Sequence, residues 1–165
     1  MAIPAKLSNP RDLFLQLLAE ALWIERTLAF EVLPQLQRDA DSELLAEPLA
    51  AHLVETRVHA ERVEQVFLAS AAEPTAAASA ALEGLRRQYA ELVEAIVEPR
   101  LRDLFLVSAA AKTEHLEIAL YENLLRLAQH VGVETGSIEQ IVAEERHALA
   151  TLEDASATLL PNLPD

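Results

Sequence analysis

The sequence predicts an all-α domain, four long helices plus one crossover helix, and three observations point there. Only 3 Gly occur in 165 residues and aromatics make up 4%, while Ala, Leu and Glu, all good helix formers, are plentiful. Apolar residues recur at helical spacing over long stretches rather than alternating. These stretches fall into two pairs with short internal connections, separated by one longer segment. With 52% hydrophobic residues, the chain can bury the core of one domain. Residues 1–165 are therefore read as a single domain with its core at 9–159.

Asn9 followed by Pro10 starts the first helix, because Asn caps free amides and Pro suits the first helical position. That helix should reach about Arg38, with Pro34 kinking or ending it. Ser42, after Asp41, opens a second helix to about Ala71, and Pro48 is near enough to its start to be tolerated. Residues 71–82 read as a connection into a third helix from roughly Ala77 to Glu98, the crossover. Pro99 starts a fourth helix running to His130, and Gly132 with Gly136 marks the turn after it. Ser137 then caps a fifth helix ending near Leu159, and PNLPD frays as a tail.

The formal charge is −14, from 13 basic and 27 acidic side chains, which argues against nucleic acid and anionic lipid as partners and favours cations. With no Cys, disulfide and thiolate chemistry are excluded. The opening MAIPAKLSNP lacks the apolar core of a signal peptide, and no uncharged apolar run is long enough to span a bilayer. A soluble cytoplasmic protein is expected.

Placing residues at about 100° per step shows which side chains share a face. In the first helix, Phe14, Leu18, Ala21, Leu28, Val32 and Leu36 form a stripe with Glu25 near its centre. In the second, the stripe Leu45, Leu49, His52, Thr56, His59, Val63 and Val66 carries Glu55 on its flank. Along the fourth helix, Glu114 and Glu117 lie together within the apolar surface of Val107, Ala110, Ile118, Tyr121 and Leu124, and His115 faces away. The last helix sets Glu145 among Ile138, Ile141, Val142, Leu149 and Leu152, while Glu144 and His147 fall outside the stripe.

One Glu in an apolar stripe ordinarily sits at the core edge with its carboxylate reaching water or an Arg. Five inward acids over four helices, with Arg26, Arg57 and Arg62 beside the stripes rather than among them, do not fit that account. Burying such charges unpaired costs several kcal/mol apiece, so a multivalent cation among them is the simplest resolution. Glu25 precedes Glu55 by 30 residues and Glu114 precedes Glu145 by 31, as though two hairpins present the same chemistry twice, the arrangement of dinuclear carboxylate bundles. Glu25, Glu55, His59, Glu114, Glu117 and Glu145 are the candidate ligands. His52 shares the face of His59 but is assigned to the core. Carboxylates with imidazole suit iron or manganese. Zinc is expected only as an adventitious occupant, since structural zinc sites more often use Cys. Tyr121, seven residues after Glu114, is a core aromatic or a redox-relevant phenol beside the metal, and is the candidate catalytic residue. No phosphate-binding glycine loop or Ser, His and acid set competes.

The segments SNPRDLFLQLLAEALWIER, HLVETRVHAERVEQVF, AAKTEHLEIALYENLLRLA and IVAEERHALATLEDA together resemble the YciF/YciE group of ferritin-like stress proteins, over residues 8–155. The match rests chiefly on Glu55 with His59, on Glu114 with Glu117 and Tyr121, and on the double acid Glu144 and Glu145. The resemblance implies a ferritin-like four-helix bundle, a homodimer, a di-iron centre of the rubrerythrin kind and a role in stress. Ala148 and Leu149 depart from the group, standing where a His or an acid is expected, which puts the second metal position in question. The leading expectation is oxidation of Fe(II) by, or reduction of, oxygen or peroxide. The alternatives are an iron-storing mini-ferritin and a non-catalytic helical interaction protein with a degenerate site.

Overall fold

The computed structural model describes residues 6–163; the first part of the amino terminus, read above as lacking a signal sequence, lies outside these residues, as does the end of the tail. Helix α1 (Pro10–Thr27) begins where Asn9 Oδ1 accepts from the Asp12 amide, with Pro10 in the first turn. Without a break, the chain continues through a π-helical turn (Leu28–Val32) into α2 (Leu33–Asp39). Pro34 thus neither ends nor breaks the first helix. The Leu33 amide bonds back to the Leu28 carbonyl, five residues earlier, widening the turn just where the Pro34 ring would collide with the carbonyl of Phe30. The surplus residue shifts the inward face by one position, so Leu33 is buried and Val32 only half-buried.

Helix α3 (Glu43–Ala69) follows Ser42 and carries Pro48 within its length. The crossover helix is shorter than the sequence suggests: α4 spans Ala80–Val93. Its start is fixed by Ser79, whose hydroxyl accepts from the Leu82 amide at 3.4 Å. Its end comes before Pro99, which favours extended backbone in the residue ahead of it; Glu98 is extended and caps α5 (Pro99–Val131). Gly132 closes α5 in the left-handed conformation, φ 75°, which glycine adopts without steric cost. Ser137 is not the cap of the last helix. α6 (Gly136–Leu159) is preceded by Thr135, and the Glu134 carboxylate takes the Gly136 amide at 2.6 Å. The tail does not fray at once but makes a 3₁₀ turn, Leu160–Asn162.

α1 packs on α3 and α5, and α6 packs on α5 and α3, so the four long helices close a ring, the four-helix bundle with a crossover helix that the sequence predicts. Asp41, before α3, donates its amide to the buried Asp103 near the start of α5 at 2.8 Å, so α3 and α5 set out from the same end. The crossover carries the chain back along the bundle, pinned on the way where the Ala77 amide meets the Ala19 carbonyl at 2.9 Å. Phe14, Leu18, Leu22, Leu45, Phe67, Leu106, Leu124 and Ile141 fill the interior. That packing fixes the rotation of each helix about its axis.

Candidate metal centre

Each long helix aims at least one ionisable side chain at the middle of the ring. Glu25 comes from α1, His52 and His59 from α3, Glu114 and Glu117 from α5, and Glu145 from α6; Glu25, His59 and Glu145 are 0% exposed and Glu114 and Glu117 1%. On α3, His52, Thr56 and His59 are all buried on one face, the spacing of successive turns. Glu114 and Glu117 are likewise three apart on the inward face of α5.

The donor atoms fall into two groups, Glu25 with His59 and Glu145, and His52 with Glu114, Glu117 and Glu145. Glu145 belongs to both. Its Oε1 is 2.8 Å from His59 Nδ1, and its Oε2 is 3.8 Å from His52 Nε2. Glu25 Oε2 stands 3.8 Å from His59 Nδ1, and Glu114 Oε1 stands 3.2 Å from His52 Nε2.

Groups behind these donors hold them in place. Tyr121 donates its hydroxyl to Glu25 Oε1, leaving Oε2 for His59. Glu144 lies 2.7 Å from His59 Nε2 and also takes Arg62. An acid on Nε2 orients the ring and leaves Nδ1 to face the centre, the way metal-binding imidazoles are commonly supported.

Among the described residues, ten buried side-chain polar atoms have no hydrogen-bond partner, and nine of them belong to this cluster. They include both oxygens of Glu117 and Glu145 and both nitrogens of His52. Buried polar atoms are nearly always satisfied, so this concentration marks a place built for something that supplies positive charge.

Electrostatics tell the same story. Burial, and then the charge of Glu145, push Glu25 up to about 8. Burial likewise raises Glu114 to about 7 and Glu117 well above the usual carboxylate range. Burial alone would lower the histidines, but Glu114 in front of His52 raises it to about 10, and Glu145 with Glu25 raises His59 to about 9. Against the effect of its own burial, Glu145 is held low by its close contacts with His59 and Glu114 and by the charges of both histidines.

The structure brings Glu25, His59, Glu114, Glu117, Glu145 and Tyr121 together as the sequence suggests. It does not bring in Glu55. That side chain is 40% exposed, its Oε2 3.6 Å from the far nitrogen of His52, and it belongs to neither group. His52, assigned to the core from the sequence, occupies the interior position instead. Glu144, outside the stripe and 35% exposed, still reaches His59, and only its place beside Glu145 hinted at that. His115 and His147 face solvent.

The donor set fits iron or manganese, with hard carboxylates and two imidazoles and no thiolate. Glu145 is the carboxylate common to both groups. Ala148, 8% exposed, adds no donor on α6. Beside it a pocket of about 170 Å³ reaches in to His52 and Glu114. Among the described residues no helix is long and apolar enough to cross a membrane.

Residues 9–161 match the family model described as a domain of unknown function, DUF892. The chain is 33% identical over 138 residues to Protein YciF of Escherichia coli strain K12, covering 82% of each. The crystal structure of the E. coli stress protein YciF superposes with a TM-score of 0.89 at 29% identity, over 95% of this chain and all of that one. YcfI of Rhodopseudomonas palustris gives 0.77 at 26% identity, over 96% and 97% of the two chains.

Proposed function

The chain belongs to the DUF892 family, and from that membership and the buried donors we propose that it is a dinuclear iron or manganese carboxylate protein of stress protection. Glu25, His59 and Glu145 would hold one ion, and His52, Glu114, Glu117 and Glu145 the other. The observation that carries the reading is the set of nine unpartnered buried polar atoms in one cluster. A bound pair of such ions would supply redox chemistry toward oxygen or peroxide, including the oxidation of Fe(II).

The protein's own residues would serve that chemistry in distinct ways. The surrounding apolar side chains exclude water and strengthen every electrostatic contact inside. Glu144 and Arg62 hold the His59 ring in one tautomer. Tyr121 fixes one oxygen of Glu25 by donating its hydroxyl to it. Glu114 and Glu25, raised to about 7 and about 8 in the metal-free protein, would give up their protons when a cation binds. The relative's description as a stress protein supports a role in stress; the cytoplasm as its location and a homodimer as its assembly belong to the same proposal.

Metal content per chain tests the reading, measured by elemental analysis on protein purified without chelator and repeated on Glu114→Ala and Glu145→Ala. Close to two ions per chain, lost in Glu145→Ala and reduced in Glu114→Ala, is the expected result. No metal after anaerobic Fe(II) loading would refute it.

A further inference from the structure

The pocket beside Ala148 opens to the surface and leads to the cluster along a line of donors. Glu55 stands at its mouth, half in solvent. His52 lies behind it, with Nδ1 3.6 Å from Glu55 Oε2. Behind His52, Nε2 is 3.2 Å from Glu114 and 3.8 Å from Glu145. Every step from water to the centre is therefore under 4 Å. His52 is 6% exposed with neither ring nitrogen hydrogen-bonded, although both lie on this route.

The charge around the opening suits one kind of visitor. Glu55 and Glu114 line the pocket together with His52 and His147, and no Lys or Arg does. At the opposite edge of the cluster the route is stopped, because the outer nitrogen of His59 is taken by Glu144 and Glu144 by Arg62. A guanidinium there repels an incoming cation. Ala148 is one of the residues lining the pocket, and a bulkier side chain there would narrow it.

We infer that this pocket is the entry port for divalent cations, with Glu55 receiving the ion at the surface and His52 passing it to Glu114 and Glu145. The inference rests on the metal reading above and adds a route to it. Glu55 is a transit ligand and leaves the final complex, which accounts for an acid one turn from His59 that joins neither donor group.

Co(II) uptake by the metal-free protein separates the possibilities, followed by stopped-flow absorbance with the final Co(II) per chain measured after equilibration. In Glu55→Gln the final content stays that of the unsubstituted chain, while uptake slows by about tenfold, the lower end of what charge focusing in a cleft adds to on-rates. Glu55→Asp restores part of the rate. Ala148→Leu, which narrows the pocket and replaces no donor, also slows uptake and leaves the final content intact. A lower final content in Glu55→Gln would overturn the inference by making Glu55 a resident ligand. Unchanged rates in both Glu55→Gln and Ala148→Leu would overturn it by placing entry elsewhere. If the unsubstituted protein takes up no Co(II), the metal reading itself falls, a result distinct from either of these. Far-ultraviolet circular dichroism on each variant confirms that a slowed rate comes from a folded bundle.

Discussion

His59 Nδ1 lies 2.8 Å from Glu145, while its other nitrogen lies 2.7 Å from Glu144. Consecutive acids on α6 therefore hold opposite edges of a single imidazole. One of them is buried at the centre and the other is partly exposed beside Arg62. The sequence pair has two tasks, binding inside and orienting from outside.

Glu144→Gln should therefore weaken metal binding without abolishing it. Loss of a supporting acid behind a metal-bound histidine typically costs about 10- to 100-fold in affinity. Competition against a chelator of known affinity would measure this, and Glu144→Gln should retain both ions when metal is saturating. An affinity equal to that of the unsubstituted protein would show that Glu144 only decorates the surface.

The metal-free bundle should become less stable as pH rises from 5 to 9. Glu25 and Glu114 have folded values near 8 and 7 against an ordinary 4.5, so across that interval the folded state binds more protons than the unfolded one. The histidines, raised from 6.5 to about 10 and about 9, act in the same direction: their stabilisation is full below 6.5 and is lost as pH climbs through the folded values. Excess proton binding by the folded state means stability falls with increasing pH. Thermal melts of chelator-treated protein should show it, with a flat or rising profile counting against the assignment. Metal should reverse the slope, because binding displaces those protons.

Tyr121→Phe separates support from chemistry. Removing the hydroxyl leaves Glu25 Oε1 buried without its donor, which costs about 1–3 kcal/mol in the metal-free protein. Metal content should be unchanged. If Tyr121 also takes part in oxidation, Fe(II) oxidation by peroxide slows in the loaded variant at constant iron content, whereas a purely supporting tyrosine leaves that rate alone.

Sizing chromatography with light scattering should give the mass of two chains, about twice 18.1 kDa. A shell-sized particle would favour the storage reading instead. A monomer would refute the homodimer.

The sequence was informative wherever periodicity alone decides geometry. The inward acids Glu25, Glu114, Glu117 and Glu145 all lie where regular helical spacing puts them, because apolar neighbours fix the rotation of each helix. It misled where residue type was allowed to outweigh position. On α3 the same spacing sets His52 in the stripe and Glu55 on the flank, and the structure follows the spacing. Glu144 was illegible for another reason: its partners His59 and Arg62 are on α3, more than 80 residues away, and no pattern along α6 reveals them. Helix ends depended on particular side chains. Ser79 shortened the crossover helix, and Glu134 with Thr135 took the start of α6 away from Ser137.

The π-helical turn at Leu28–Val32 makes the first helix unusually forgiving of one kind of genetic change. Losing one residue from the middle of a regular helix rotates everything downstream by about 100° and would swing buried side chains into water. Here the turn already carries one residue more than an α-helical turn needs, and Phe30, at 71% exposure, contributes little to the interior. Deleting Phe30 should let the segment relax into ordinary α-helix with Glu25 and Leu33 still facing inward, so the shortened chain folds and retains its metal content. The same deletion made one turn away on α3 or α5 would scramble the ligand register.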